Sequence, residues 1–202
     1  MEQATKKAFK KIVVIGPEST GKSTLCEQLA QHYNTMWCPE FAREYLLTYG
    51  TNYDFYDLLN IAKGQIAMEE EYIQQVRLSG SRENRRTPEG SFGLTDLPPS
   101  GLLFIDTDMY VLKVWCEFVF ENCHQWIIDQ IVERKYDLYL LCNTDLPWTK
   151  DALREYPDLK SREKLYAIYK DIMINQSTPW ADISGNTEER LQNAITAIDA
   201  LL

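Results

Sequence analysis

One glycine-flanked polar run near the start of the chain constrains the fold more than any other feature: Gly16-Pro17-Glu18-Ser19-Thr20-Gly21-Lys22-Ser23. It matches the pattern G-x-x-x-x-G-K-S/T in full, between a β-branched run at residues 11–15 and a helical pattern at residues 23–33. In that context the glycines let the backbone approach an anion, successive N–H groups point at phosphates, and the helix adds the positive end of its dipole. The run therefore predicts a phosphate-binding loop for a nucleoside triphosphate.

Side chains of this loop and of a later strand end have separate predicted roles. Lys22 would reach the β- and γ-phosphates and take part in phosphoryl transfer, and the Ser23 hydroxyl would bind Mg²⁺. The apolar run at residues 102–105 reads as a strand that ends at Asp106, whose carboxylate would bind the same ion directly or through water. The residues expected to hold the nucleotide in the loop are Gly16, Glu18, Ser19, Thr20, Gly21, Lys22, Ser23 and Thr24.

Apolar runs typical of buried strands alternate with helical patterns along the chain. The predicted strands are residues 11–15, 35–38, 102–105, 137–142 and 180–184. The predicted helices are residues 23–33, 40–49, 54–76, 109–121, 125–134, 161–175 and 187–201. Buried strands separated by helices indicate a parallel sheet covered on both faces, with its ligand beyond the carboxyl ends of the strands. We therefore predict an α/β protein with the P-loop NTPase fold and a five-stranded parallel sheet.

The length of 202 residues suits a single domain that covers residues 1–202. Two polar segments interrupt the alternation of strands and helices. Residues 79–101 are rich in Gly, Pro, Ser and charged side chains, which predicts a mobile surface insertion. Residues 143–162 are polar and contain prolines, and they follow the fourth strand, where a small lid would close over the phosphates.

Charge and cysteine content argue against several classes of protein. Lys and Arg total 21 against 30 for Asp and Glu, and the net charge of −9 disfavours broad binding to nucleic acid or anionic membranes. The chain has no run of about 20 apolar residues and no apolar leader, so we expect a cytoplasmic protein. Its five cysteines include no C-x-x-C pair, which favours reduced, packed thiols. The expected partner is a small-molecule substrate, and whether the protein forms a homo-oligomer stays open.

The motifs of GTPases are missing from this chain. The place of the base-reading motif N-K-x-D holds Asn143-Thr144-Asp145, and Asp106 is not followed by the glycine of D-x-x-G. ATP and Mg²⁺ are therefore the expected cofactors, and a small-molecule kinase fits better than a GTPase or a mechanical ATPase. Such a kinase needs an acceptor pocket, a base, and cations around the transferred phosphoryl group.

Charged side chains near the strand ends are candidates for these kinase roles. Glu40 and Asp108 are the candidate bases, because a carboxylate within reach of a hydroxyl can take its proton. Arg154 and Arg162 lie in the predicted lid and would offset the charge of the transition state. Arg43 follows the second strand, beside the loop. The alternatives are a helix-start acid for Glu40, a surface ion pair for Arg43, and solvated side chains for the two lid arginines.

Several motifs together resemble the ribosylnicotinamide kinase domain of NadR-type NAD-biosynthesis proteins. The matching segments follow one another through nearly the whole chain: residues 16–25, 38–46, 105–108, 137–141, 145–148, 151, 153, 154, 183–185 and 189–191. The P-E-F-A-R-E element at residues 39–44 and the D-x-P-W element at residues 145–148 are much more specific than the P-loop itself.

This resemblance implies the fold of nucleoside and nucleotide kinases. It also implies ATP-dependent phosphorylation of the 5′-hydroxyl of nicotinamide riboside to give nicotinamide mononucleotide, a step of NAD salvage. By position, Tyr45 and Trp148 become stacking partners for the pyridinium ring, with core packing as the alternative, and Ser184 and Asn186 would lie near the adenine. The residues expected at the acceptor are Glu40, Arg43, Tyr45, Asp108 and Trp148.

Two departures from the family pattern limit what the resemblance implies. No G-x-F-x-P-x-H-x-G-H-like element precedes the first strand, so we expect neither the adenylyltransferase activity nor the repressor role of NadR-type proteins in this chain. The insertion at residues 79–101 is longer than the family pattern, which leaves the shape of the acceptor pocket open. Two other functions therefore stay open: a kinase for another nucleoside or small alcohol, and a regulatory module that binds ATP without transferring phosphate.

Overall fold

The structure is a computed structural model that describes residues 9–82, 101–151, 153 and 157–202. The predicted insertion at residues 79–101 lies outside the described residues except at its two ends, and Arg154 lies outside them as well. The elements in chain order are β1 (Lys10–Ile15), α1 (Lys22–His32), β2 (Met36–Cys38), α2 (Phe41–Tyr49), α3 (Phe55–Arg82), β3 (Leu102–Asp106), α4 (Met109–Phe120), α5 (Gln125–Glu133), β4 (Leu138–Cys142), α6 (Leu159–Asn175), β5 (Trp180–Ile183) and α7 (Thr187–Asp199).

The five strands form one parallel sheet in the order β2-β3-β1-β4-β5. β1 lies in the middle, where it pairs with β3 on one side and with β4 on the other. The carboxyl ends of these three strands are therefore neighbours, and the loops that follow them meet at one edge of the sheet. The predicted α/β class is confirmed, with the P-loop NTPase fold and helices on both faces of a parallel sheet.

Burial on both faces explains why the three central strands, β1, β3 and β4, are largely continuous apolar runs. Ile12 and Val14 belong to a core that α1 and α7 close, whereas Val13 and Ile15 belong to a core that α3, α4 and α6 close. All four side chains are fully buried, and burying one such side chain contributes about 1.5–3 kcal/mol. A third apolar cluster joins α2, α3, α4 and α5. The buried side chains of β1 thus anchor the start of the loop that follows it.

Two element boundaries differ from those predicted by the sequence. α3 continues to Arg82, past residue 79, where the insertion was expected to begin. Its packed apolar stripe overrides the weak helix propensity of the serines and glycine at its end. α6 begins at Leu159, not at residue 161, because the Asp158 carboxylate accepts a hydrogen bond from the N–H of Ser161 at 2.7 Å and caps the helix. Residues 159–162 of the predicted lid therefore form the first turn of α6.

Two further features of the fold are the character of its helices and the state of its cysteines. Across the described ranges, no helix combines the length and the apolar character needed to cross a bilayer. The cysteines are free thiols, and Cys26, Cys38, Cys116 and Cys142 are buried. Burial raises the pKa of the Cys38 and Cys142 thiols to about 12. These thiols are therefore protonated and pack as small apolar groups.

Candidate active site

The predicted phosphate-binding loop connects β1 to α1 and has the open backbone that an anion requires. Gly16 and Gly21 have φ angles of 140° and 77°, and Ser19 has a φ of 56°. A Cβ atom on Gly16 would lie 2.7 Å from the carbonyl oxygen of Cys142, so only glycine fits there. Because α1 begins at Lys22, the positive end of its dipole faces the loop. The loop is therefore shaped to receive a phosphate chain.

The loop lysine and the predicted metal ligands meet at the first turn of α1. The Lys22 ammonium donates a hydrogen bond to the carbonyl oxygen of Pro17 at 3.0 Å, and the Ser23 hydroxyl donates one to a carboxylate oxygen of Asp106 at 2.5 Å. Asp106 is fully buried at the end of β3. Burial raises the pKa of its carboxyl, while Lys22 and the Ser23 hydroxyl act in the opposite direction. A hydroxyl beside a carboxylate is an oxygen donor set that fits Mg²⁺.

A cavity of about 410 Å³ opens directly onto this loop. Residues 16–24 form one side of it, and α4, α6 and the segment around the start of α2 form the other. Besides the loop, the charged residues that line the cavity are Glu40, Arg43, Asp106 and Asp151. Its volume suits a small molecule. The structure therefore brings the predicted loop, the metal ligands, Glu40 and Arg43 to one cavity.

Glu40 is the candidate base that lines this cavity. It occupies the N-cap position of α2, yet its side chain caps no backbone N–H of that helix. Burial, followed by the negative charge of Asp106, raises the pKa of Glu40, against the opposing effects of Lys22, Arg43 and a hydrogen bond from the Thr107 hydroxyl. A carboxylate with a raised pKa is suited to take a proton from an acceptor hydroxyl.

Asp108, the other candidate base, lies in the core and not in the lining of the cavity. One of its carboxylate oxygens caps α4 by accepting hydrogen bonds from the N–H groups of Tyr110 at 3.0 Å and Val111 at 3.3 Å. The other oxygen accepts a hydrogen bond from the Tyr139 hydroxyl at 2.8 Å. The structure does not bring Asp108 together with Glu40 and the loop. Its contacts are those of a residue that fixes the start of α4.

Asp108→Asn is expected to flatten the dependence of stability on pH. Burial raises the pKa of Asp108 to about 7, against the hydrogen bonds from Tyr139 and the two N–H groups, whereas the unfolded chain has an ordinary pKa of about 4. The folded protein thus holds this proton more tightly. The stability gained is fully present below about pH 4 and is lost as the pH rises through about 7. Urea unfolding from about pH 5 to about pH 8 measures the free energy of unfolding of wild type and variant.

The control for this measurement is Asp129→Asn, which removes an exposed carboxylate on α5. The control should keep the wild-type slope of the free energy of unfolding against pH, whereas Asp108→Asn should lose part of that slope. The size of the loss follows from the difference between the folded and unfolded pKa, since each unit corresponds to about 1.4 kcal/mol. Equal slopes in the wild type and Asp108→Asn would contradict the prediction.

The aromatic residues predicted to stack on the acceptor ring lie outside the lining of the cavity. The Tyr45 hydroxyl donates a hydrogen bond to Asp57 at 2.7 Å, and its ring packs against those of Phe41 and Tyr49. Tyr45 is partly buried and packs against the apolar cluster of α2, α3, α4 and α5. Trp148 is half-buried in the loop after β4, and among the described residues its buried indole N–H has no hydrogen-bond partner.

Arg162 connects the predicted lid to α6. It is 2% exposed, and its Nη2 donates hydrogen bonds to the carbonyl oxygens of Thr144 at 2.7 Å and Leu146 at 3.0 Å. The side chain therefore fastens the loop after β4 to α6 and does not line the cavity. The other predicted lid arginine, Arg154, lies outside the described residues.

Ser184 and Asn186, predicted near the adenine, lie between β5 and α7. The Asn186 side chain caps α7 and forms a capping box with Glu189. The carbonyl oxygen of Ser184 accepts a hydrogen bond from the side-chain amide of Asn193 at 3.3 Å. These contacts order the loop that leads into α7.

Residues of the predicted lid contact both sides of the cavity. The N–H of Thr149 donates a hydrogen bond to the hydroxyl oxygen of Ser19 at 2.9 Å, which ties the lid to the phosphate-binding loop. Arg43 forms an ion pair with Asp151, which ties the lid to α2. Arg43 is therefore held beside the cavity by a residue distant in sequence.

Sequence reasoning missed the aromatic wall of the cavity. Three of its members are Trp115, Phe118 and Tyr169. The cavity residues of α4 follow a helical spacing of one face: Val111, Val114, Trp115 and Phe118. Trp115 is oriented by its indole N–H, which donates a hydrogen bond to the Tyr53 hydroxyl at 2.9 Å. Because α4 is apolar on most of its surface, its sequence pattern does not distinguish this stripe from core residues. The signal that could have identified it is the position of α4, which begins three residues after the predicted metal ligand Asp106.

Comparison with known proteins identifies a family and several curated relatives. A family model described as an AAA domain matches residues 11–190. The trifunctional NAD biosynthesis/regulator protein NadR of Escherichia coli (strain K12) is 24% identical over 168 residues, which are 80% of this chain and 35% of that protein. NadR of Salmonella typhimurium (strain LT2) is 27% identical over 149 residues, which are 71% of this chain and 30% of that protein. The chain thus spans about a third of the length of these relatives.

Solved structures share the fold of this chain. The crystal structure of NadR protein in complex with NR has a TM-score of 0.69 at 19% identity and covers 95% of this chain and 49% of that one. Thymidylate kinase from Ehrlichia chaffeensis has a TM-score of 0.58 at 14% identity, over 95% of this chain and 99% of that one. Because the family model covers most of the sequence, the chain belongs to the AAA domain family, as a P-loop domain that resembles the kinase-like part of NadR.

Proposed function

We propose that this protein is an ATP-dependent kinase that phosphorylates the 5′-hydroxyl of nicotinamide riboside and releases nicotinamide mononucleotide and ADP. The observation that carries the proposal is one cavity in which a phosphate-binding loop, a carboxylate and an aromatic wall line a common space. The similarity to NadR proteins, one of them solved in complex with NR, supports this choice of acceptor.

The donor side of the cavity suits the phosphates of ATP. The N–H groups of the loop and Lys22 would bind the β- and γ-phosphates, and Ser23 with Asp106 would hold Mg²⁺. When bound, this ion offsets the negative charge of the phosphates during transfer. The loop is held in shape by a hydrogen bond from the Thr20 hydroxyl to the carbonyl oxygen of Pro17 at 2.7 Å. This bond helps to keep the N–H groups of the loop in place for the nucleotide, whereas Lys22 must exchange its hydrogen bond to Pro17 for one to a phosphate.

Glu40 is the residue that we place beside the acceptor hydroxyl. The hydroxyl oxygen forms a bond to the γ-phosphorus of ATP as the bond from that phosphorus to the β,γ-bridging oxygen breaks. The hydroxyl proton passes to the Glu40 carboxylate, and ADP leaves with the bridging oxygen. Lys22 and Arg43 line the same cavity, and their positive charges offset the charge on the transferred group.

The acceptor side of the cavity suits a flat ring that carries positive charge. Aromatic faces such as that of Trp115 attract cations. Charged residues of the lining comprise four carboxylates against two cations: Glu18, Glu40, Asp106 and Asp151 against Lys22 and Arg43. A cavity with this balance favours a pyridinium ring over a neutral base.

A coupled assay of ADP release with a panel of nucleosides tests the proposed function. We expect turnover with nicotinamide riboside well above the rate with ATP alone, and weaker turnover with nucleosides whose base is uncharged. Turnover with another nucleoside only would replace the proposed acceptor. Tight binding of ATP without turnover on any nucleoside would favour the regulatory module.

Trp115→Leu is expected to raise the KM for nicotinamide riboside about tenfold, because the substitution removes a cation–π contact of about 1–2 kcal/mol. The KM for ATP should stay unchanged, since the loop is intact. Steady-state kinetics measure both constants. Trp126→Leu on α5 is the matched control, because that tryptophan is half-buried and does not line the cavity. Equal KM values for the riboside in the wild type and Trp115→Leu would exclude Trp115 from the acceptor site.

A further inference from the structure

The start of α2 lacks the side-chain cap that a helix commonly carries. The first N–H groups of a helix have no partner within it, and the residue before the helix often supplies one from its own side chain. Here that residue is Glu40, and its carboxylate caps none of them. Glu40 lines the main cavity instead. The N–H of Phe41, the first residue of α2, therefore needs an acceptor from another part of the fold.

Gln65 of α3 supplies this acceptor. It is 1% exposed, and its Oε1 accepts a hydrogen bond from the N–H of Phe41 at 2.7 Å. Its Nε2 donates a hydrogen bond to the carbonyl oxygen of Pro39 at 3.3 Å. These two groups belong to the peptide bonds directly before and directly after Glu40. One buried side chain therefore holds the backbone on both sides of the candidate base.

The same side-chain amide also reaches the strand that ends at the predicted metal ligand. Its Nε2 donates to the carbonyl oxygen of Asp106 at 3.5 Å and to the Sγ atom of Cys38 at 3.8 Å. Asp106 ends β3, and Cys38 ends β2, which pairs with β3. A buried polar group whose donors and acceptor are all paired makes its surroundings rigid. Gln65 thus fixes the backbone of Glu40 relative to that of Asp106.

Close packing between α3 and α2 keeps this amide within reach. Gly64 directly precedes Gln65, and the ring of Phe41 lies against it. A Cβ atom at position 64 would lie 2.0 Å from that ring, so only glycine leaves room for it. Phe41 is therefore held through both its ring and its N–H by two consecutive residues of α3.

We propose that Gln65 is a positioning residue for phosphoryl transfer, which caps α2 in place of Glu40 and so keeps the Glu40 carboxylate directed at the acceptor hydroxyl. The inference rests on the proposed function, because it takes Glu40 as the base. Gln65 does not line the cavity, so it acts through Glu40 and touches no substrate. A shift of about 1 Å in a reacting group can cost about 10²-fold in rate. The rate of transfer therefore depends on Gln65, whereas the binding of ATP does not.

Gln65→Met tests this role, because methionine keeps the length of the side chain and removes its hydrogen bonds. We expect kcat with nicotinamide riboside to fall about 10–100-fold, with the KM for ATP unchanged. Steady-state kinetics measure both constants. Gln74→Met is the matched control, since it changes an exposed glutamine of the same helix that does not line the cavity. A wild-type kcat in Gln65→Met would overturn the proposal.

A double-mutant cycle with Glu40→Gln separates positioning of the base from a general structural role. If Gln65 acts through Glu40, Gln65→Met should lower kcat by less than about twofold in an enzyme that already carries Glu40→Gln. The same loss of kcat in both backgrounds would mean that Gln65 acts independently of the base, and would also overturn the proposal.

Amide exchange with solvent tests the contact without any acceptor or turnover. The N–H of Phe41 should exchange at least about tenfold faster in Gln65→Met, the factor that one net hydrogen bond supports. Gln65→Asn withdraws the same amide by one methylene group and should show smaller changes of the same kind, which decides the case if Gln65→Met does not fold. An unchanged exchange rate would contradict the inference. Faster exchange without turnover on nicotinamide riboside would instead count against the proposed function.

Discussion

Lys22→Ala is expected to lower kcat/KM for phosphoryl transfer by at least about 10³-fold, the effect of removing a group that stabilises transition-state charge. Among the described residues, the Lys22 ammonium donates its hydrogen bond to the carbonyl oxygen of Pro17. The fold does not depend on that contact, so the melting temperature should change little. Steady-state kinetics with nicotinamide riboside and ATP, together with a thermal melt, measure both quantities.

Lys135→Ala is the matched control for this result. Lys135 is exposed and donates a hydrogen bond to the carbonyl oxygen of Val132, at the opposite end of the sheet from the loop. The control should keep the activity of the wild type. If Lys22→Ala were equally active, the loop would not be the site of phosphoryl transfer.

Glu40→Gln is expected to lower kcat by about 10²–10⁴-fold, the contribution of a general base, with little change in the KM for either substrate. A base must be deprotonated to act, and burial together with Asp106 raises the pKa of Glu40. The kcat of the wild type should therefore rise with pH through that raised pKa, and the variant should lose this rise. Profiles of kcat against pH measure the effect.

Glu44→Gln provides the comparison for the Glu40 variant, because Glu44 lies on the same helix, is exposed and does not line the cavity. It should keep both the rate and the pH profile of the wild type. A Glu40→Gln enzyme with the wild-type kcat and pH profile would exclude Glu40 as the base. Loss of rate with an unchanged pH profile would do so as well.

The loop and the sheet were predictable because their signals are local. The motif at Gly16–Ser23 fixes both its own geometry and the elements on either side of it, and strands buried on both faces are recognisable as short apolar runs. Glu40 follows a predicted strand of the same sheet, so its place at the edge of the cavity also followed from the sequence. These features depend on residues that are close together in the chain.

The direction of a side chain after a strand was not predictable in the same way. Asp106 and Asp108 are two residues apart, and sequence reasoning placed both at the site. Between them Thr107 adopts a positive φ of 77°, a conformation that β-branched residues rarely take, and Asp108 then caps α4. A missed signal was that Asp directly before a helix is a preferred N-cap residue.

Arg162 and the aromatic wall depend on contacts between elements distant in sequence. Arg162 is buried because the loop after β4 turns its carbonyl oxygens toward α6, and nothing local to residue 162 indicates this. Trp115 lines the cavity only because α4 lies across the loop from α1. Such placements follow from packing, and patterns within one element do not specify them.

The hydrogen bond from Arg190 to the carbonyl oxygen of Thr20 joins residues 170 positions apart in the chain. During synthesis of the domain, this contact can form only after both of its distant partners have been made. β1 and the phosphate-binding loop leave the ribosome before α7 does, and the loop gains its support from Arg190 only after α7 has emerged and docked. A chain stopped before α7 has the complete loop motif without this support. Nucleotide binding in a newly made chain would therefore report that almost the entire domain has been synthesised and packed.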